Sequence, residues 1–261
     1  MRTLNIKKYL VAISLALVLF SANTQYIHAQ TVVNLGTAGN FGVLAGSGIT
    51  NVSAATRIIG DVGSYPTPSV TGLTQSQVKG ILYLSADPAT AQAQTDLTTA
   101  YNDAVGAPCG TNLTGMDLGG LTLVPGVYCF SSSAQLTGTL TLDAQGDPNS
   151  QWIFQIGSTL TTASSSAVIE INGGDGKQGP QQLPPWLQRE RGCYVYWQIG
   201  SSATIGIGSN FEGNILALTS ITFNGGIEHG KALARNGAVT MSAQERVNGG
   251  PCNNIGPPNL N

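Results

Sequence analysis

The sequence predicts a mainly β protein built as a solenoid of stacked coils, and three observations carry that reading. One short pattern recurs between Trp152 and Met241, as WIFQIGSTLTT, VYWQIGSSATI, NILALTSITF and KALARNGAVTM. Each copy places an apolar run of strand type first, then a Gly/Ser/Asn corner, then a second, alternating strand. Thr204, Thr222 and Thr240 fall in the last three copies at equal intervals of 18 residues. A recurring unit of about 20 residues made of short strands marks a solenoid, each coil stacking on its neighbour. Composition agrees, since 34 glycines with many Ser, Thr and Ala suit a turn-dense β chain. In stacked coils an equivalent side chain recurs at one strand spacing, roughly 4.7–4.9 Å. The threonines are therefore expected to form a level outward row, with Ile205, Phe223 and Met241 pointing inward beside them.

The elements follow in order. Arg2, Lys7 and Lys8, the short apolar run Tyr9 to Ala22, and Ile27-His28-Ala29 read as an export signal over 1–29. The run is too short for a membrane span, so a secreted protein without membrane attachment is expected. A single solenoid domain is expected over 30–252 and a flexible tail over 253–261. Val32 to Ser64 reads as brief strands with tight corners, the first coils or an end of the stack. Its GTAG is no phosphate loop, because no Lys follows and no helix opens there. One helix is expected over 88–105, with Asp87 as cap and Pro88 at its first position. Ala89, Ala93, Leu97, Ala100, Tyr101 and Ala104 share its apolar face, and Gln94, Thr98 and Asn102 its polar one. Further on, Leu136, Leu140 and Leu142 alternate with Thr137, Thr139 and Thr141, leucines inward and threonines outward. The stretch from about 175 to 192, DGKQGPQQLPPWLQRERG, breaks the pattern and reads as an inserted loop.

Chemistry is limited by what the chain lacks. Charged residues are 9% of the total, against roughly 25% in an average soluble domain, and the 11 basic residues are too few to steer it to phosphates. Nucleic-acid binding is therefore not expected. Export permits disulfides; of three possible pairings, the positions favour Cys109–Cys129 and Cys193–Cys252. With no CxxC and one histidine left after cleavage, neither a metal nor another cofactor is expected. Asp61, Asp103, Asp143, Glu170, Glu212 and Glu228 lie in separate coils, so no paired carboxylates for catalysis are expected and the chain does not read as an enzyme. Glu170 is expected to face outward. Asn51-Val-Ser53 and Asn112-Leu-Thr114 are glycan acceptor sequons.

The strings LGTAGNFGVLAGSGITN, GDVGS, DLGGLTLVPGVYCF, DPNSQWIFQIGSTLTT, YWQIGSSATIG, FEGNILALTSI and GKALARNGAVTM together resemble the microbial ice-binding (antifreeze) protein family, from Val32 to about Met241. The resemblance implies a right-handed, triangular β-helix with one long helix packed alongside, and early and late strands that interleave. It also implies adsorption to ice through one flat face, with freezing-point hysteresis and inhibition of recrystallisation. On that reading the partner is an ice crystal surface and the protein a monomer. The ice-binding residues expected are Thr137, Thr139, Thr162, Ser164, Thr204, Ser209, Asn210, Thr222, Asn224, Thr240 and Ser242.

The chain also departs from the family. Members described as the most active carry T-A/G-x-T/N at each corner, whereas here the corners read Ile207-Gly208-Ser209-Asn210, Gly225-Gly226-Ile227-Glu228 and Ala243-Gln244-Glu245-Arg246. Glu228, His229, Glu245 and Arg246 are expected to put charge on or beside the neutral face, which predicts moderate or weak ice activity. No cap segment is evident between Gly60 and Asp87. The alternative function is a secreted adhesin or structural solenoid module, and because an open last coil would invite edge pairing, the tail or a Cys252 link is expected to protect it.

Overall fold

An apolar run, a corner and a second alternating run make a coil that bends twice and closes on itself. The structure, a computed structural model, describes residues 33–147, 149–173 and 192–250. Their strands form three parallel sheets of eight, seven and eight strands, the three sides of a right-handed triangular solenoid. One coil runs through Trp152–Ile156 in the first sheet, Leu160–Thr162 in the second and Ala167–Ile171 in the third. The export signal, Cys252, the tail and the insertion up to residue 191 lie outside the described residues.

The stack does not follow the chain. In the first sheet the strand Ala232–Ala234 pairs with Phe41–Ala45, placing Leu44 beside Leu233. Thr50 likewise pairs with Thr240 in the second sheet and Ile58 with Val247 in the third. The last coil of the chain is thus internal, and among the described residues its edge is covered by these early strands, where the tail or a Cys252 link was expected to protect it. The stack ends instead on Asp61–Ser64, Val70–Thr71 and Val78–Lys79, with Leu82 bridging back to Val62. The stretch between Gly60 and Asp87, where no cap was evident, makes this terminal coil.

Inward rows fill the prism. Tyr128, Phe154 and Trp197 are register partners in the first sheet, with ring centroids 5.5 and 3.9 Å apart. Stacked rings at one strand spacing bury much apolar area and favour offset contact. The Trp197 indole N–H donates to Glu212 O at 3.0 Å, so its polar edge is satisfied.

The first sheet is also apolar outside, and a helix covers it. Helix α1 spans Pro88–Gly106, and the Asp87 carboxylate accepts from Ala89 N at 2.8 Å. Its 19 residues extend about 28 Å, close to the roughly 29 Å across seven strands, so one helix crosses the sheet. One outward row lies beneath it, from Cys129 through Gln155, Gln198, Leu216, Leu233 and Leu44 to Gly63. Gly63 permits the close approach, since a Cβ there would stand 2.5 Å from Thr90 Cγ2. At the other end Gln155 Nε2 donates to the carbonyls of Ala104, Val105 and Ala107 at 2.8, 3.1 and 2.6 Å, satisfying helix-end acceptors. The expected apolar face needs two corrections: Ala89 is exposed, and Gln94 is buried, donating to Ala234 O at 3.2 Å. The disulfide Cys109–Cys129 ties the helix exit to the same row.

Candidate functional site

With the first sheet covered, the second and third face outward. The second sheet runs in unshifted register through Ala134–Leu136, Leu160–Thr162, Ala203–Ile205, Ile221–Phe223, Ala238–Met241, Gly48–Asn51 and Val70–Thr71. Its central outward row is Gln135, Thr161, Thr204, Thr222, Thr240, Thr50 and Thr71, each the register partner of the next. None of these six threonine hydroxyls bonds another protein group among the described residues. The row is held up from beneath by Leu160, Ala203, Ile221, Val239 and Ile49, all buried. Six strand spacings make it roughly 29 Å long.

Two further rows flank it. On one side Thr159 Oγ1 donates to Ser133 Oγ at 2.8 Å, Ser202 Oγ accepts from Ser220 N at 3.3 Å, and Ser220 Oγ accepts from Ala238 N at 3.2 Å. These hydroxyls are spent on holding coil to coil. On the other side, backbone bonds from Ala163 to Leu136, Asn224 to Ile205, Ser242 to Phe223 and Val52 to Met241 carry the register past the strands. That row presents Thr137, Ala163, Asn224, Ser242 and Val52. No residue of the three rows is charged.

The expected site residues divide accordingly. Thr204, Thr222 and Thr240 are in the central row, and Thr137, Asn224 and Ser242 in the flanking one. Thr139 and Asn210 lie on the third sheet, and Ser164 is exposed at the turn between the two sheets. Thr162 and Ser209 do not face solvent; they are 3% and 1% exposed. Their hydroxyls are 3.4 Å apart inside the corner, where Thr162 Oγ1 accepts from Gly206 N at 2.9 Å. Sequence reasoning missed Thr161, Thr50 and Thr71.

The charges expected to spoil the face are elsewhere. Glu228 pairs with Phe211 and Val247 on the inner side of the third sheet and is 0% exposed. Burial, then the neighbouring Glu245 and Glu212, push its carboxyl well above the usual carboxylate range. Glu245 is also buried, and burial raises it to about 8 although the amides of Arg246, Gly225 and Gly226 pull the other way. Arg246 is exposed on the third sheet, and His229 lies in that sheet beside Asn248 at 3.3 Å. These acids sit in the packed interior, where no substrate reaches them. Glu170, expected outward, pairs with buried Leu142 and is half-buried. Of the corner departures, Ile207 does stand on the surface, 59% exposed.

These features define a class: a β-solenoid with one side sealed by a helix and one uncharged side laddered with unengaged hydroxyls. The chain belongs to the ice-binding-like family, which it matches over residues 43–179 and 189–247. It is 50% identical over 244 residues to an ice-binding protein of Nostoc sp. (strain HG1), covering 93% of this chain and 83% of that one. To an ice-binding protein of Colwellia sp it is 33% identical over 258 residues, 92% and 93% of the two chains. Among solved structures, an ice binding protein from an Antarctic biological consortium superposes with TM-score 0.72 at 40% identity, covering 83% of this chain and 90% of that one. The ice-binding protein of Antarctomyces psychrotrophicus gives 0.70 at 34% identity, over 85% and 98%.

Proposed function

We propose that this protein adsorbs to ice through the second-sheet face and so inhibits ice growth and recrystallisation. The single observation that carries the reading is the unshifted row Thr161–Thr204–Thr222–Thr240–Thr50–Thr71, with every hydroxyl unengaged among the described residues. Each threonine offers a methyl and a hydroxyl, so an array at strand spacing orders a layer of water without binding any one molecule tightly. Contacts are individually weak, and a rigid plane makes many act together. Membership of the family, and relatives named as ice-binding proteins, support the same reading. Thr137, Asn224 and Ser242 extend the face on one side. Since Glu228, Glu245 and Arg246 are off this face, they give no reason to expect weak activity.

The same proposal takes the protein to be exported after loss of residues 1–29, to act as a monomer, and to need neither cofactor nor catalytic residues. Among the described residues no helix is long and apolar enough to cross a membrane. The test is Thr222→Tyr, which raises a bulky ring from the middle of the row without touching the core. Thermal hysteresis and recrystallisation inhibition should fall at least severalfold with an unchanged melting temperature. Full activity in that variant would refute the assignment of this face.

A further inference from the structure

The third sheet carries a different surface. The cationic side chains among the described residues are Arg57, Lys79, Lys231, Arg235 and Arg246. Lys231 is buried, donating to the carbonyls of Gly249 and Gly250, and Arg235 lies over the Tyr101 ring at 4.6 Å. The three exposed ones, Arg57, Lys79 and Arg246, all lie on adjacent strands at one end of the third sheet. None has an ion-pair partner among the described residues.

Their placement is costly. Arg246 and Arg57 are direct register partners, one strand spacing of roughly 4.8 Å apart, and like charges so placed destabilise a sheet. In a chain only 9% charged, such a pair is better accounted for by an anion that binds both than by folding. Arg57 is also fixed in position: its Nη1 donates to Ala54 O and Thr56 O at 3.0 and 2.7 Å, and its other donors have no partner among the described residues.

The surroundings select the kind of anion. In the next outward row Asn248 pairs with Ile59 and Ile59 with Lys79, and Ile59 and Ile227 are exposed apolar platforms beside the cations. An adjoining groove of about 570 Å³ is lined by Ile59, Asp61, Lys79 and Asn248 among others. Asp61 Oδ1 already accepts from Ile81 N at 2.8 Å, and a carboxylate has acceptor sites left for hydroxyl groups. Three cations fall short of the six to ten phosphate contacts typical of nucleic-acid binding and of the four to eight basic residues typical of a membrane-binding cluster. Guanidinium forks suit carboxylates, exposed aliphatic side chains suit the C–H faces of sugar rings, and acceptors suit sugar hydroxyls. We infer that this end of the third sheet binds a carboxylated polysaccharide, its acid groups on Arg246, Arg57 and Lys79, leaving the threonine face free.

The test is binding of the full chain to polygalacturonate in low salt, with uncharged dextran, duplex DNA and anionic phospholipid vesicles as comparisons. Binding to polygalacturonate alone, weakening as salt rises, is expected. The double variant Arg57→Gln/Arg246→Gln should lower affinity at least tenfold, with melting temperature and recrystallisation inhibition unchanged. Thr222→Tyr should do the reverse, so failure here is separable from failure of the ice reading. Parent-like binding by the double variant would overturn the inference, since Lys177, Arg189 and Arg191 remain in it. No binding at low salt would overturn it too, as would equal affinity for DNA or vesicles, which would reduce the patch to unspecific charge.

Discussion

Glu245→Gln should stabilise the protein at neutral pH and remove part of its pH dependence. Glu245 lies 2% exposed inside the corner, and its carboxyl is raised from 4.5 to about 8. The folded protein therefore keeps a proton that the unfolded chain loses between those values. The sign follows from linkage: stability is greatest below the unfolded value and declines as pH rises to the folded one. Each unit of that interval costs about 1.4 kcal/mol, so the protein should be about 3 kcal/mol less stable at pH 7 than at pH 4 from this group alone. For a domain of this size that is roughly 6–12 °C in Tm. Glu228, facing Glu245 and Glu212, is raised for the same reason and adds to the decline. Melting curves from pH 4 to 9 would show it: Glu245→Gln should flatten the profile partly, and Glu228→Gln with it almost wholly. A parent Tm that holds level or rises from pH 5 to 8 would refute the reasoning, because the carboxyls would then be ionised in place.

Other consequences are equally direct. Gln155→Leu removes the donor to three helix-end carbonyls, and thermal melts should report a loss of about 1–3 kcal/mol. The double variant Cys109→Ser/Cys129→Ser opens a loop with a sequence separation of 20 and should lose about 3 kcal/mol, measured by denaturant titration. Mass spectrometry of protein from the culture medium should find residues 1–29 missing; retention of the whole segment would count against export by cleavage.

The coil repeat, the helix and three threonines of the row were legible because each shows as a local period. Thr204, Thr222 and Thr240 recur every 18 residues, and neighbours in that part of the chain are neighbours in the stack. Thr50 and Thr71 were not legible, because Thr50 meets Thr240 across almost the whole chain and no spacing announces it. Thr161 and Thr162 are adjacent, so composition could not say which faces out; the register with Thr204 decides. The carboxylates misled for a related reason. In Gly226–His229 the pattern suggests Ile227 inside and Glu228 outside, yet Phe211 and Val247 fix the opposite parity. Register imposed by neighbours outweighs the polarity of a single strand.

The splice between Phe41–Asn51 and Ala232–Met241 makes time part of the architecture. The strands synthesised first pair only with Asp61–Ser64, Val70–Thr71 and Val78–Lys79 until the final tenth of the chain has emerged, so these two coils wait undocked while the middle coils assemble. A product broken off before residue 232 would lack the coil that joins these two to the others, leaving its threonine row cut between Thr222 and Thr50. Only a finished chain presents the whole ladder.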